Sequence, residues 1–100
     1  MTTLYIAEFA TVGGTSNFGV AGAQCPPIRE QTVTIAASST AIASGFNTNT
    51  AFVRIHPDSI CSVAFGLTPT ATTANMRLVA GQTEYFAVVP GQKVATIVNT

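Results

Sequence analysis

Ala51-Phe52-Val53-Arg54-Ile55-His56-Pro57-Asp58-Ser59-Ile60-Cys61-Ser62-Val63-Ala64-Phe65 holds two short runs of β-branched and aromatic residues with Pro-Asp-Ser between them. In an extended chain Val53 and Ile55 point one way and Arg54 and His56 the other, so the first run predicts a strand with one buried face. Pro57-Asp58 supplies turn chemistry, and the pattern predicts a hairpin between the two runs. Similar segments recur at short intervals: Thr3 to Phe9, Gln31 to Ala36, Met76 to Val79, Glu84 to Val89 and Lys93 to Val98. Helical periodicity is nearly absent. Seven short strands in 100 residues predict an all-β domain, a sandwich or a barrel.

The punctuation predicts further hairpins. Ala80-Gly81-Gln82 separates two strands, and Pro90-Gly91-Gln92 reads as a type II turn with Pro second and Gly third. The last strand is apolar on both faces, with Val94, Thr96 and Val98 opposite Ala95 and Ile97, so it is either central or covered. Two segments carry no regular pattern. Residues 11–27 contain Gly13, Gly14, Gly19 and Gly22 around an isolated Phe18 and end at Cys25-Pro26-Pro27. They are expected to form an extended loop or arm that orders against a neighbour, with Phe18 as its anchor. Thr68 to Asn75 reads as an exposed connection with Asn75 at a turn. One domain over residues 1–100 is expected.

Charge is the compositional outlier. Only Arg29, Arg54, Arg77, Lys93, Glu8, Glu30, Glu84 and Asp58 are charged, against about a quarter of residues in ordinary soluble domains. The uncharged stretches are built from Thr, Ala, Gly, Ser and Asn, and burying such residues at an interface costs less than burying Lys or Glu. A subunit of a protein assembly is the expectation. With 16 Thr and 15 Ala, the large apolar side chains are few, and the six Phe, two Tyr and the Val and Ile residues are expected to form nearly all of the core. Zero net charge gives no basic patch for nucleic acid, and no apolar run of membrane-spanning length or signal-peptide pattern is present. The expected partners therefore exclude nucleic acid and membrane, and synthesis in the cytoplasm is expected, with Cys25 and Cys61 reduced.

Residues that could carry chemistry are sparse. His56, Asp58 and either Ser59 or Cys61 could form a nucleophile, a base and an orienting group, but the same residues are ordinary turn chemistry at a hairpin corner. Cys25, His56, Asp58 and Cys61 lack the spacing of a zinc site, and Gly13-Gly14 is not followed by the Lys-Ser/Thr of a phosphate loop. No enzyme activity, no catalytic residue, no metal and no cofactor is expected. Adjacent strand positions face opposite ways, so only one of Tyr85 and Phe86 can enter the core, and the outer one is a candidate interface anchor. Arg54 could pair inside the subunit with Glu84 or Asp58, or reach a carboxylate on a neighbour.

Phe52 to Asp58, Cys61 to Gly66, Pro69 with Ala71-Thr72, Leu78 to Phe86 and Val89 to Ala95 together resemble small virion proteins of tailed double-stranded DNA bacteriophages, among them capsid decoration or cement proteins. The resemblance covers roughly Thr32 to Val98, and the first thirty residues carry no match. It implies a compact antiparallel β-sandwich, jelly-roll-like, that attaches in many copies to the major capsid protein on the outside of an icosahedral head. It also implies a homo-oligomer, a dimer or trimer, and adds no catalytic residue. Phe18, Arg54 and Tyr85 are the candidate interface residues. A tail, head-to-tail or fibre-attachment component is the alternative within virions. A carbohydrate-binding β-sandwich module is the alternative of another class, although such modules commonly expose Trp and this chain has none.

Overall fold

The computed structural model describes residues 2–10, 12–13 and 22–100. Eight strands form two four-stranded antiparallel sheets. The first sheet has the order β4 (Arg29–Thr34), β1 (Thr3–Phe9), β6 (Phe52–Pro57), β9 (Glu84–Ala87). The second has the order β5 (Thr40–Ala41), β10 (Lys93–Val98), β7 (Cys61–Gly66), β8 (Met76–Leu78). A short ribbon, β2 (Val12–Gly13) against β3 (Gly22–Ala23), lies within the expected 11–27 arm, but Phe18 and most of that segment fall outside the described residues.

All seven strands expected from the sequence are present, and β5 is added to the sandwich beside the short β2-β3 ribbon. The pairing differs from successive hairpins. β6 and β7 belong to different sheets, as do β8 and β9, and β9 and β10, so Pro57-Asp58, Gly81-Gln82 and Gly91-Gln92 mark corners between layers. The strand pairs nest instead: β7 pairs with β8, β6 with β9 and β5 with β10. The fourth pair of this wrapped ribbon joins β4 to β1, so the N-terminal strand fills the place that a strand after β10 would take. The result is a jelly-roll-like sandwich. A turn residue specifies a change of direction and not which strand the chain then pairs with, which is why the hairpin reading failed.

The turn geometries themselves follow the sequence. Gln92 N–H donates to Val89 O at 3.1 Å with Gly91 at φ +84, and Gln82 N–H donates to Val79 O at 3.1 Å with Gly81 at φ +80. Both are type II turns, whose third position needs the positive φ that glycine adopts without strain.

Alternation sets the core. Leu4, Ile6, Val33, Val53 and Ile55 point inward from the first sheet and meet Cys61, Val63, Leu78 and Val94 of the second, with Ile35, Ile42 and Phe46 from the connections. Phe65 and Phe86 pack at its margin, their rings 5.4 Å apart. Not all of the large aromatic residues join the central cluster: Phe9, Phe52 and Tyr85 form a run on the outer side of the first sheet, with centroids 5.3 and 6.2 Å apart, in which Phe9 is buried and Tyr85 exposed, and Tyr5 is exposed on the same side. β10 is central, as its two apolar faces require, and Val94, Ala95 and Thr96 are all fully buried.

One end of the sandwich closes on a buried carboxylate. Glu8 shares the inner face of β1 with Leu4 and Ile6 and is completely inaccessible. The Asn47 N–H and the Thr50 hydroxyl donate to its Oε1 at 2.8 and 2.7 Å, and Gln31 Nε2 donates to Oε2 at 3.0 Å. Arg29 Nη1 stands 3.9 Å from Oε2 and donates to Gly45 O at 2.8 Å. A buried charge is tolerable only when its lone pairs are met in this way. The cluster fastens the 42–51 connection over the end of the core. Gly45 is required there, because a Cβ would stand 2.6 Å from Gly91 O.

Candidate functional site

The outer faces of the two sheets differ. On the second, Ala41, Ala95 and Ala64 form a row across β5, β10 and β7. The chain between β7 and β8 crosses this row. It leaves the inner strand β7 and reaches Ser39 beside the far edge strand β5, where Ala71 N–H donates to Ser39 Oγ at 2.8 Å. It then returns to β8, held by Asn99 Nδ2, which donates both to Ser62 Oγ (2.7 Å) and to Thr73 O (3.2 Å). Three methyl side chains leave room for backbone to lie close, and Ala71, Ala95 and Ser62 are buried as a result. The 68–75 connection is thus a cover as well as a surface loop. Asn75 closes its turn as expected, with Asn75 N–H donating to Thr72 O at 3.0 Å and Thr72 N–H to Asn75 Oδ1 at 2.7 Å.

No described segment covers the corresponding middle of the first sheet. The register places Thr32, Tyr5 and His56 in one row and Glu30, Ala7, Arg54 and Tyr85 in the next. Tyr5 is 45% and Tyr85 55% exposed. The small side chain of Ala7 leaves a shallow groove of about 300 Å³ lined by Tyr5, Ala7, Glu30, Thr32, Arg54 and His56. Phe86 turns inward while Tyr85 turns out, which is the division that their adjacency predicts.

Arg54 does not make either internal ion pair weighed from the sequence. Glu84 pairs with Ile55 and therefore points to the opposite face of the sheet, and Asp58 lies beyond the Pro57 corner. Among the described residues Arg54 Nη2 reaches only the Thr83 hydroxyl, at 3.4 Å, and the same hydroxyl is 2.8 Å from His56 Nδ1. Glu30 has neither a salt bridge nor a side-chain hydrogen bond among the described residues. The one salt bridge among these residues is that of Arg29 with Glu8.

The structure does not bring the nucleophile, base and acid together. His56 lies on the outer face of the first sheet, whereas Cys61 is fully buried in the core from the second. Burial pushes the Cys61 thiol above its ordinary value of 9.0, opposed by a hydrogen bond with Thr96. Ser59 Oγ has no hydrogen-bond partner among the described residues, so no base adjoins it. Cys25 is exposed and unpaired, and no group of three or more potential metal ligands occurs among the described residues. A groove with a phenol, an imidazole, a guanidinium, a carboxylate and a threonine hydroxyl can hold polar ligands or other protein, and among the described residues it presents no activated nucleophile.

Of the residues on this face, Arg54 and Tyr85 were candidates from the sequence, and Tyr5, Glu30 and Ala7 were not. The alternation of Thr3 to Phe9 alone could have put Tyr5 and Ala7 on the outer face. Their conjunction with Glu30 and Arg54 required the non-sequential order β4-β1-β6. Comparison with protein-family models, with curated proteins and with solved structures finds no match to this chain.

Proposed function

We propose that the chain is a non-enzymatic structural protein that attaches in many copies to the outside of an icosahedral phage head and reinforces contacts between major capsid subunits, as a decoration or cement protein does. The supporting observation is the surface. Of eight charged side chains one, Glu8, is buried, leaving seven for the whole exterior, while Tyr5, Ile28, Leu67, Met76, Val79, Tyr85, Val89 and Val98 are exposed. Such a surface loses little solvation on contact with other protein. The mechanism is mass action: a ligand that binds only the assembled shell stabilises it by an amount set by its concentration relative to its dissociation constant.

Gradient-purified particles of the phage that encodes the chain test this directly. Mass spectrometry is expected to find it at stoichiometry comparable to the capsid protein, and electron microscopy to place it on the head. Particles without it contradict the proposal, and density on the tail assigns it to a tail or fibre-attachment role. Attachment is expected to survive about 1 M salt, where the Debye length is about 3 Å, because few charges are available to carry it.

A further inference from the structure

We propose that the outer face of the β4-β1-β6-β9 sheet is a self-complementary surface on which a second copy of this chain docks about a two-fold axis running along β1. The argument starts from the central row. Glu30 and Arg54 flank Ala7 on either side, one strand away each, so their Cα atoms stand roughly 10 Å apart at about 4.8 Å per strand. Each is without an ion partner in its own chain among the described residues. A carboxylate and a guanidinium placed symmetrically about a methyl group match their own image. Rotation by 180° about an axis lying over β1 and parallel to it sets β4 of one copy against β6 of the other. Glu30 then faces the second copy's Arg54 and Arg54 faces its Glu30, giving two equivalent pairs in an isologous interface.

The remaining residues fit the same operation. Ala7 meets Ala7 on the axis, which lets the charged side chains on both sides reach across a sheet spacing of about 10 Å. Tyr5 meets Tyr5 one row along, giving an aromatic contact at the axis. Thr32 faces His56, a hydroxyl against a ring that already bonds one hydroxyl, that of Thr83. Three strands, β4, β1 and β6, overlap under this operation; at about 4.8 Å apart and about six residues long at 3.4 Å each they present roughly 300 Å² per copy, well under half of a standard interface. The dimer is therefore weak in solution and becomes populated where copies are concentrated. The inference stands apart from the virion reading, because it concerns purified protein alone.

Sedimentation equilibrium of the purified full chain, from about 1 μM to 1 mM, tests it. Glu30→Arg and Arg54→Glu are each expected to weaken dimerisation tenfold or more, because each sets like charges opposite one another twice. The combined Glu30→Arg, Arg54→Glu variant is expected to recover most of the affinity, and circular dichroism reports that all variants fold. A parent chain that stays monomeric throughout, or a double variant as weak as the single ones, overturns the proposal. Shifts of the Tyr5 and His56 resonances on addition of maltohexaose to a monomeric chain would overturn it in favour of a sugar.

Discussion

The two outer faces of this sandwich are built from the same kinds of small and polar residues and meet different fates. On the β5-β10-β7-β8 sheet a row of alanines admits the chain's own 68–75 segment, and Ala95 ends with no accessible surface. On the β4-β1-β6-β9 sheet Ala7 is flanked by Glu30, Arg54 and two exposed tyrosines, and no described segment lies over it. The difference teaches that a chain with few large apolar residues can finish one side of its fold internally and leave the other to be finished by a partner. Composition alone suggested an interface somewhere. On our proposal, the contrast between the faces says where.

The sharpest way to break this comparison is along a single strand. Ile55→Asp places an unpaired carboxylate in the core, at a cost of more than about 5 kcal/mol that equals the whole stability of many small domains, so no folded protein is expected. His56→Ala, one residue on and facing out, should change stability by no more than about 0.5 kcal/mol. Soluble yield and thermal unfolding of the two variants decide the matter. A folded Ile55→Asp protein would refute the assigned faces.

Two glutamates extend the test. Glu8→Ala strands the Asn47 N–H, the Thr50 hydroxyl and Gln31 at the closed end and leaves Arg29 without its carboxylate, which should cost about 3–5 kcal/mol. Glu30→Ala removes a carboxylate with no internal partner and should cost less than about 0.5 kcal/mol. Denaturant unfolding of both measures the difference. Equal costs would mean that the outer carboxylate is as deeply embedded in its own chain as the inner one.

A smaller effect compares the faces themselves. Ala95→Leu overfills the space beneath the 68–75 cover and should cost about 1–3 kcal/mol, while Ala7→Leu on the open face should stay within about 0.5 kcal/mol. Similar costs at the two sites would show that both faces are covered from within.

The smallest effect depends on pH. The folded Cys61 thiol sits above its ordinary value of 9.0 because burial disfavours the thiolate. Its contribution is therefore intact below that value. As the pH rises past it the unfolded chain's thiol ionises first, and the folded state loses stability until the higher folded value is reached. Cys61→Val should remove this part of the alkaline destabilisation, measured as the difference between the two proteins' unfolding free energies from about pH 8 to pH 10.5. Identical alkaline profiles would contradict a buried thiol.

Strand positions and faces were legible in the sequence because alternation is local: Thr32-Val33-Thr34-Ile35 and Val53-Arg54-Ile55 announce which side is wet. The type II turn at Val89 to Gln92 was legible for the same reason. Strand partners were not. Whether β6 joins β7 or β9 depends on how the layers close, and nothing in Pro57-Asp58 encodes it. The candidate surface suffered accordingly, since Glu30, Ala7 and Arg54 are distant in sequence and become neighbours only through the pairing of β1 with both β4 and β6. The buried role of Glu8 was hidden too, because its partners Asn47 and Thr50 come from an irregular connection.

Hydroxyl-radical footprinting of Tyr5 across protein concentration tests most directly whether the open sheet face is completed by another copy. Tyr5 oxidation should fall as the protein is concentrated through the range in which the dimer forms, while Leu67, exposed at the end of the sandwich, stays equally reactive. Tyr5 oxidation that is constant at every concentration, in a protein that does associate, would contradict the assignment of this face.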